Sequence, residues 1–182
     1  MSPDFAINHI LYQRGIYDCE SFEKVKKFGQ TILVTTDARL KKYLNVIVIQ
    51  LREFLLKRNI DKLVMEIMNV ETKEAVEKWD FCIECDRSIA DEKEVSVDMR
   101  QVHEHIRGVM RQISASVAFL PCLEGVFSFD ILLYTDKNTA LPSVEWADTK
   151  PNMILNEEKV KLKGFVTGIQ NVETVVSYKA HD

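Results

Sequence analysis

Apolar residues along this chain fall at two spacings. In DFAINHILYQRGIY (4–17), Phe5, Ile7, Ile10 and Leu11 lie near helical spacing, and Gly15 can stop the helix. SFEKVKKFG (21–29) reads as a short turn of helix ending at Gly29, followed by the β-rich run QTILVTT. Thr36-Asp37 supplies an N-cap and a first-turn acid for a long helix reaching Arg58. Its stripe of Leu40, Tyr43, Leu44, Ile47, Leu51, Phe54 and Leu55 is widened by Val46, Val48 and Ile49. A helix apolar nearly all round is expected to be the hub of the core. IDKLVMEIMNV (60–70) and AVEKWDFCIEC (75–85) read as two strands joined by the polar turn ETKE, with Trp79, Phe81 and Ile83 on one dry face. DRSIADEKE (86–94) is a solvated loop. A second long helix follows, carrying Val95, Met99, Val102, Ile106, Val109, Ile113 and Val117, and Pro121 is expected to end it. The apolar run VFSFDILLYTD (126–136) predicts a strand at the centre of a sheet. The chain closes on a hairpin, KLKGFVTGIQNVETVVSYK (161–179), which must lay its apolar side on something. Mixed helices and hairpins without regular βαβ repeats make the class α+β.

Composition narrows the function. A length of 182 residues suits one domain with a continuous core. No apolar run approaches the roughly 18–20 residues that span a bilayer, and no signal peptide is evident, so no membrane partner is expected. A net charge of −4 argues against a nucleic-acid partner. The four cysteines, with no secretory signal, point to free thiols in a reducing compartment.

Chemical motifs are few. Cys82 and Cys85 form a CxxC, but residues three apart on a strand face opposite sides, and no second CxxC completes a zinc site. His103 and His105 are two apart on a helix and do not share a face. No nucleotide-binding glycine motif is present. The expectation is therefore no metal, no cofactor and no catalysis; a small thiol- or histidine-dependent enzyme using Cys82, Cys85 or His103 is the alternative. On the second long helix, Gly108, Gln112, Ala115 and Phe119 recur away from the main stripe with Arg111 beside them. They read as a flat contact patch, or else as a second packing face or a solvated one.

The strings ILYQRGIY (10–17), LVTTD (33–37), KYLNVIVIQL (42–51), WDFCIECD (79–86), IRGVMRQISASVAFLP (106–121) and FDILLYTDK (129–137) together resemble the HORMA family, in its small two-state, spindle-checkpoint branch. The match runs in order from about Ala6 to Lys179. The resemblance implies one HORMA domain over 1–182, with a core of about 1–137 and a C-terminal "safety belt" of about 138–182. It implies an adaptor that switches between open and closed conformers and entraps a peptide, delaying anaphase. The peptide would pair with the strand Val126, Phe127, Ser128, Phe129, Asp130, Ile131, Leu132, Leu133 and Tyr134. The belt residues would include Trp146, Phe165, Ile169, Val172, Val175 and Tyr178, and open and closed conformers would associate through Arg111, Gln112 and Phe119.

The partners implied are the anaphase-promoting-complex activator, the coiled-coil kinetochore receptor, and a remodelling ATPase with its HORMA adaptor. The implied locations are nucleus, kinetochore and cytoplasm. A HORMA adaptor of translesion synthesis is the alternative within the family. Family members usually carry further residues before the first helix, including a strand used by the open conformer. This chain is accordingly expected closed, with residues 159–179 repacked against Trp79–Cys85. Where some members have regulatory serines, this chain has Thr149, Glu157 and Thr174. The core is expected to fold without the residues beyond about Thr167.

Overall fold

Cap and turn residues set where each element starts and stops. In the computed structural model, which describes residues 4–27, 29–57, 59–85, 99–135, 146–162, 164–167 and 170–180, helix α1 (Asp4–Gln13) ends where Gly15 takes φ 64°. Asp37 caps α2 (Ala38–Leu56) by accepting the Leu40 amide at 2.7 Å. Between them, Phe22–Lys27 (β1) and Gln30–Thr35 (β2) pair from Phe22↔Thr35 to Lys27↔Gln30. Residues 21–29 are thus mainly a strand rather than a helical turn, and Gly29, at φ 68°, serves the hairpin turn. Phe22 and Val25 lie three apart, which mimics a helical face. The β-rich partner strand decides the matter, and buried Ile32 seals the hairpin against Phe5, Ile106 and Met110.

Strands β3 (Ile60–Asn69) and β4 (Ala75–Cys85) form the expected hairpin. Its turn is held by the Asn69 side chain, which accepts the Glu71 and Thr72 amides at 2.8 and 3.0 Å. Helix α3 covers Met99–Ser116. It stops before Pro121, because the amides of Ala118, Phe119 and Leu120 turn back to the carbonyls of Ala115 and Ser116. Pro121 instead offers its carbonyl to Arg14.

The last strands are β5 (Phe127–Thr135), β6 (Glu157–Lys161), β7 (Phe165–Thr167) and β8 (Gln170–Lys179). The large sheet runs β5-β3-β4-β8-β6, with β7 also paired to β8. β5 is therefore an edge strand, not the central one its composition predicts. Its Ile131 and Leu132 are both buried although neighbours in a strand face opposite sides. Burial on both faces, not on both edges, makes the run apolar.

The helices cover one face of this sheet. The buried cluster joins Ile7, Ile10 and Leu11 of α1 to Leu44, Ile47 and Leu51 of α2 and to Met65, Ile67, Trp79, Ile131, Val172 and Val176 of the sheet. The hub is α1, not α2: six of its ten residues are buried. α2 has one buried side, and its Ile49 is 63% exposed. A buried ion pair closes one end of the core. The Arg14 guanidinium lies 2.8 Å from Glu77 and also donates to the Pro121 carbonyl at 2.6 Å, while the Trp79 indole N–H donates to Glu77 at 2.7 Å. Burial pushes the Glu77 carboxyl up, against the pull of Arg14 and Trp79. β8 lies inside the sheet and places Val172 and Val176 in the core, so removing the residues beyond Thr167 would strip the core rather than trim it.

α1 and α3 also meet through His9 Nε2, 2.7 Å from Ser114 Oγ. Burial holds the His9 imidazole below its ordinary value of 6.5. The unfolded chain therefore binds more protons just below pH 6.5, and the stability contributed by neutral His9 is full above that pH and lost as pH falls through it. The expected outcome is a denaturation midpoint that drops more steeply below pH 6.5 in the wild type than in His9→Gln. Parallel curves would count against it.

Candidate functional site: a bare sheet edge beneath a crossing segment

β5 pairs with β3 in the register Leu63↔Leu133, Met65↔Ile131, Ile67↔Phe129 and Asn69↔Phe127. One step further along, the Val70 amide donates to the Val126 carbonyl at 2.9 Å. Hydrogen-bonded and non-bonded pairs alternate in an antiparallel ladder. The bonded pairs are therefore Met68–Ser128, Glu66–Asp130, Val64–Leu132 and Lys62–Tyr134. Phe127, Phe129, Ile131 and Leu133 turn their N–H and C=O groups away from β3. Among the described residues no strand pairs with that outward row. An edge of this kind is a template for an added strand.

Two hollows flank the edge. One, of about 470 Å³, lies between residues 130–135 and the segment Trp146–Pro151. The other, of about 520 Å³, lies on the α2 side, lined by Arg39, Lys42, Tyr43, Val46, Ile47 and Gln50. Asp130, Ile131 and Trp146 border both. The breadth of the apolar stripe on α2 is explained here: Tyr43 and Val46 line a hollow. Tyr43 packs edge-to-face on Phe129 with centroids 5.7 Å apart, and Tyr17 does so at 6.3 Å. Burial, and then the charge of Asp130, push the Tyr43 hydroxyl up to about 12, so it stays a donor at neutral pH. Trp146 is held by donating its indole N–H to Gln50.

From Trp146 the chain crosses the sheet face opposite the helices and enters β6 beyond β8. Asn152 fixes that crossing. Its side-chain amide donates to Glu66 at 2.8 Å, and its backbone carbonyl accepts from Lys78. Glu66 and Lys78 form an ion pair at 3.2 Å, with side chains 1% and 12% exposed. β8 meanwhile lies against β4 from Glu77↔Tyr178 to Cys85↔Gln170. This is the closed arrangement expected of the C-terminal hairpin. Val172 packs into the core, Val175 is half-buried on the opposite face, and the Tyr178 hydroxyl donates to Glu158 at 2.7 Å. Phe165 is paired with Val172 through its strand. Ile169 and residues 138–145 lie outside the described residues, as does the side chain of Phe165.

The α3 patch stands apart. Arg111 and Ala115 are exposed, Gln112 is half-buried, and Phe119 is 47% exposed, while Ile106, Val109 and Ile113 on the other side are buried. No group of three or more metal-ligating side chains is found among the described residues. The Cys82 thiol is pushed up, first by burial and then by Asp80, the opposite of an activated nucleophile.

The HORMA-domain profile matches residues 4–169. The chain belongs to the HORMA-domain family. Within that family it is 47% identical to the human mitotic spindle assembly checkpoint protein MAD2A, over 96% of this chain and 85% of that protein. It is 39% identical to the Saccharomyces cerevisiae mitotic spindle checkpoint component MAD2, over 97% and 90%. Among solved structures, a chain of the crystal structure of the mitotic checkpoint complex superposes with a TM-score of 0.86 at 34% identity, covering 98% of this chain and 94% of that one. A structure of HTP-2 bound to HTP-3 motif-6 has a TM-score of 0.76 at 12% identity, a likeness of fold alone. The chain is thus a HORMA protein of the spindle-checkpoint type.

Several residues of this candidate site carry no mark in their local pattern: Arg39, Lys42 and Gln50 beside the edge, and Glu66, Lys78 and Asn152 beneath the crossing. Glu66 did carry a signal, as a lone charge inside LVMEIM. A carboxylate there needs buried partners. Replacing Asn152 by Ala removes a donor from a carboxylate 1% exposed, at about 1–3 kcal/mol. The expected outcome is a lower denaturation midpoint for Asn152→Ala, with most of the loss absent when Glu66 is replaced by Gln in the same chain. Equal losses in both backgrounds would show that the two side chains do not act together.

Proposed function

We propose that this chain is a non-enzymatic peptide clamp of the spindle assembly checkpoint. An extended peptide adds to the outward row of β5, beneath the segment that begins at Trp146. The observation that carries this reading is that the C-terminal hairpin occupies the β4 edge, while among the described residues no strand pairs with the outer side of β5, which hollows flank. Backbone pairing supplies affinity, and the hollows select side chains. Escape requires the crossing segment to move, so release is slow. The ligands in this reading are segments of the anaphase-promoting-complex activator and of the coiled-coil kinetochore receptor. Capture of the activator delays anaphase, and the places of work are kinetochore, nucleus and cytoplasm.

The patch of exposed Arg111 and Phe119 with half-buried Gln112 is the surface for self-association of open with closed conformers. A remodelling ATPase with its HORMA adaptor would reopen the clamp. The similarity to MAD2 proteins of organisms as distant as human and yeast favours the checkpoint over translesion synthesis.

The experiment is peptide binding to the full chain, followed by fluorescence anisotropy, together with light scattering of the protein. A synthetic activator segment is expected to bind and to dissociate over minutes or longer. Arg111→Glu is expected to abolish self-association and leave peptide dissociation within about twofold of wild type, because the helix patch and the sheet edge are separate surfaces. No binding by the wild type would overturn the clamp. Loss of peptide binding in Arg111→Glu with self-association retained would overturn the division of surfaces.

A further inference from the structure

The outward row of β5 is not wholly bare. The Ile131 N–H, which the pairing register turns away from β3, is already hydrogen-bonded: Asp130 Oδ1 accepts it at 2.8 Å. Asp130 belongs to a bonded pair with Glu66, so its own backbone is spent on β3, while its side chain bends back to the edge. There the carboxylate stands between the two hollows, both of which it borders, and the residue is exposed.

We infer that Asp130 is a built-in cap on the docking edge, its carboxylate standing in for the carbonyl oxygen that an added strand would bring to the Ile131 N–H. A strand pairing with β5 must place one carbonyl at that amide, where the carboxylate now sits. The two oxygens compete for one proton, and the charged acceptor makes the stronger bond. Docking therefore requires the Asp130 side chain to rotate off the edge. Because Asp130 is exposed, the freed carboxylate is taken up by water. The cap blunts an edge that would otherwise pair with any extended chain, another copy of this protein included. A peptide must then make several backbone bonds at once to displace it, so the cap selects for ligands that fit the whole edge. Asp130 is thus a positioning residue that acts before the ligand is bound.

This inference rests on the reading of β5 as the docking edge, and the test separates the two. The first arm uses the 15N-labelled full chain without peptide. The Ile131 amide resonance is expected to move as the carboxylate is titrated, and its hydrogen exchange to quicken at least about tenfold in Asp130→Ala, with a smaller change in Asp130→Asn, which keeps an acceptor. An Ile131 resonance indifferent to both pH and substitution would overturn the cap. The second arm measures association of the activator peptide. Asp130→Ala is expected to bind faster by about fivefold to tenfold, a difference worth about 1 kcal/mol, with Asp130→Asn between it and wild type. Slower or unchanged association would overturn the gate, slower association showing that the carboxylate holds the peptide. Absence of any peptide binding to the wild type would fell the docking reading and the gate with it, while the first arm still decides the cap.

Discussion

A β-sheet has two edges, and this chain has one C-terminal hairpin to cover them. The open edge of the sheet follows from where that hairpin lies. β8 takes the β4 edge along nine residue pairs, from Glu77↔Tyr178 to Cys85↔Gln170, and among the described residues no strand takes up the outward row of β5. Unpaired backbone polar groups are tolerable only where water or a partner reaches them. The hollows on either side of β5 give both access. Had the hairpin stayed beside β5, the same sequence would have presented no such edge.

That choice obliges the chain to travel. After β5 it must reach the far side of β8, and the route passes over the sheet face opposite the helices. A segment lying on a sheet needs anchors, and Asn152 supplies them by bonding to both members of the Glu66–Lys78 pair. A buried ion pair by itself is weak evidence for stability, because desolvation offsets much of the attraction. Its value here is positional: a carboxylate with few other donors holds whichever segment brings one. The Arg14–Glu77 pair does the same one residue away, on the opposite face of β4, tying α1 to the turn after α3. Through the neighbouring residues Glu77 and Lys78, the strand on which the hairpin settles is tied on both of its faces.

Much of this could be read from the chain before folding. The amphipathic stripe of α3, the alternation of Trp79, Phe81 and Ile83, and the Asp37 cap all appear where local chemistry places them. The exposed Arg111–Phe119 patch was legible because its residues fall off the buried stripe. Three readings failed for physical reasons. Residues 21–29 look helical because Phe22 and Val25 lie three apart, and only pairing with β2 makes them a strand. β5 looks central because covered faces and covered edges leave the same apolar signature. α2 looks like the hub because Tyr43 and Val46 are apolar, yet they line a hollow instead of a core. A hollow with an apolar lining is written in the same alphabet as an interior. The Glu66–Lys78–Asn152 anchor was invisible for a different reason: its members lie far apart in the chain, and only topology joins them.

The central claim is that the outward row of β5 is the surface that receives a strand. Residue-resolved amide exchange of the full chain, with and without the activator peptide, tests it most directly. The account predicts new protection at Phe129 and Leu133, whose N–H groups point outward, and a smaller gain at Ile131, whose N–H already bonds to Asp130, with little change at Leu132 and Asp130, which are already bonded to β3. Protection gained equally by both sets, or gained on α3 or around Arg14 while β5 stays unchanged, would contradict it.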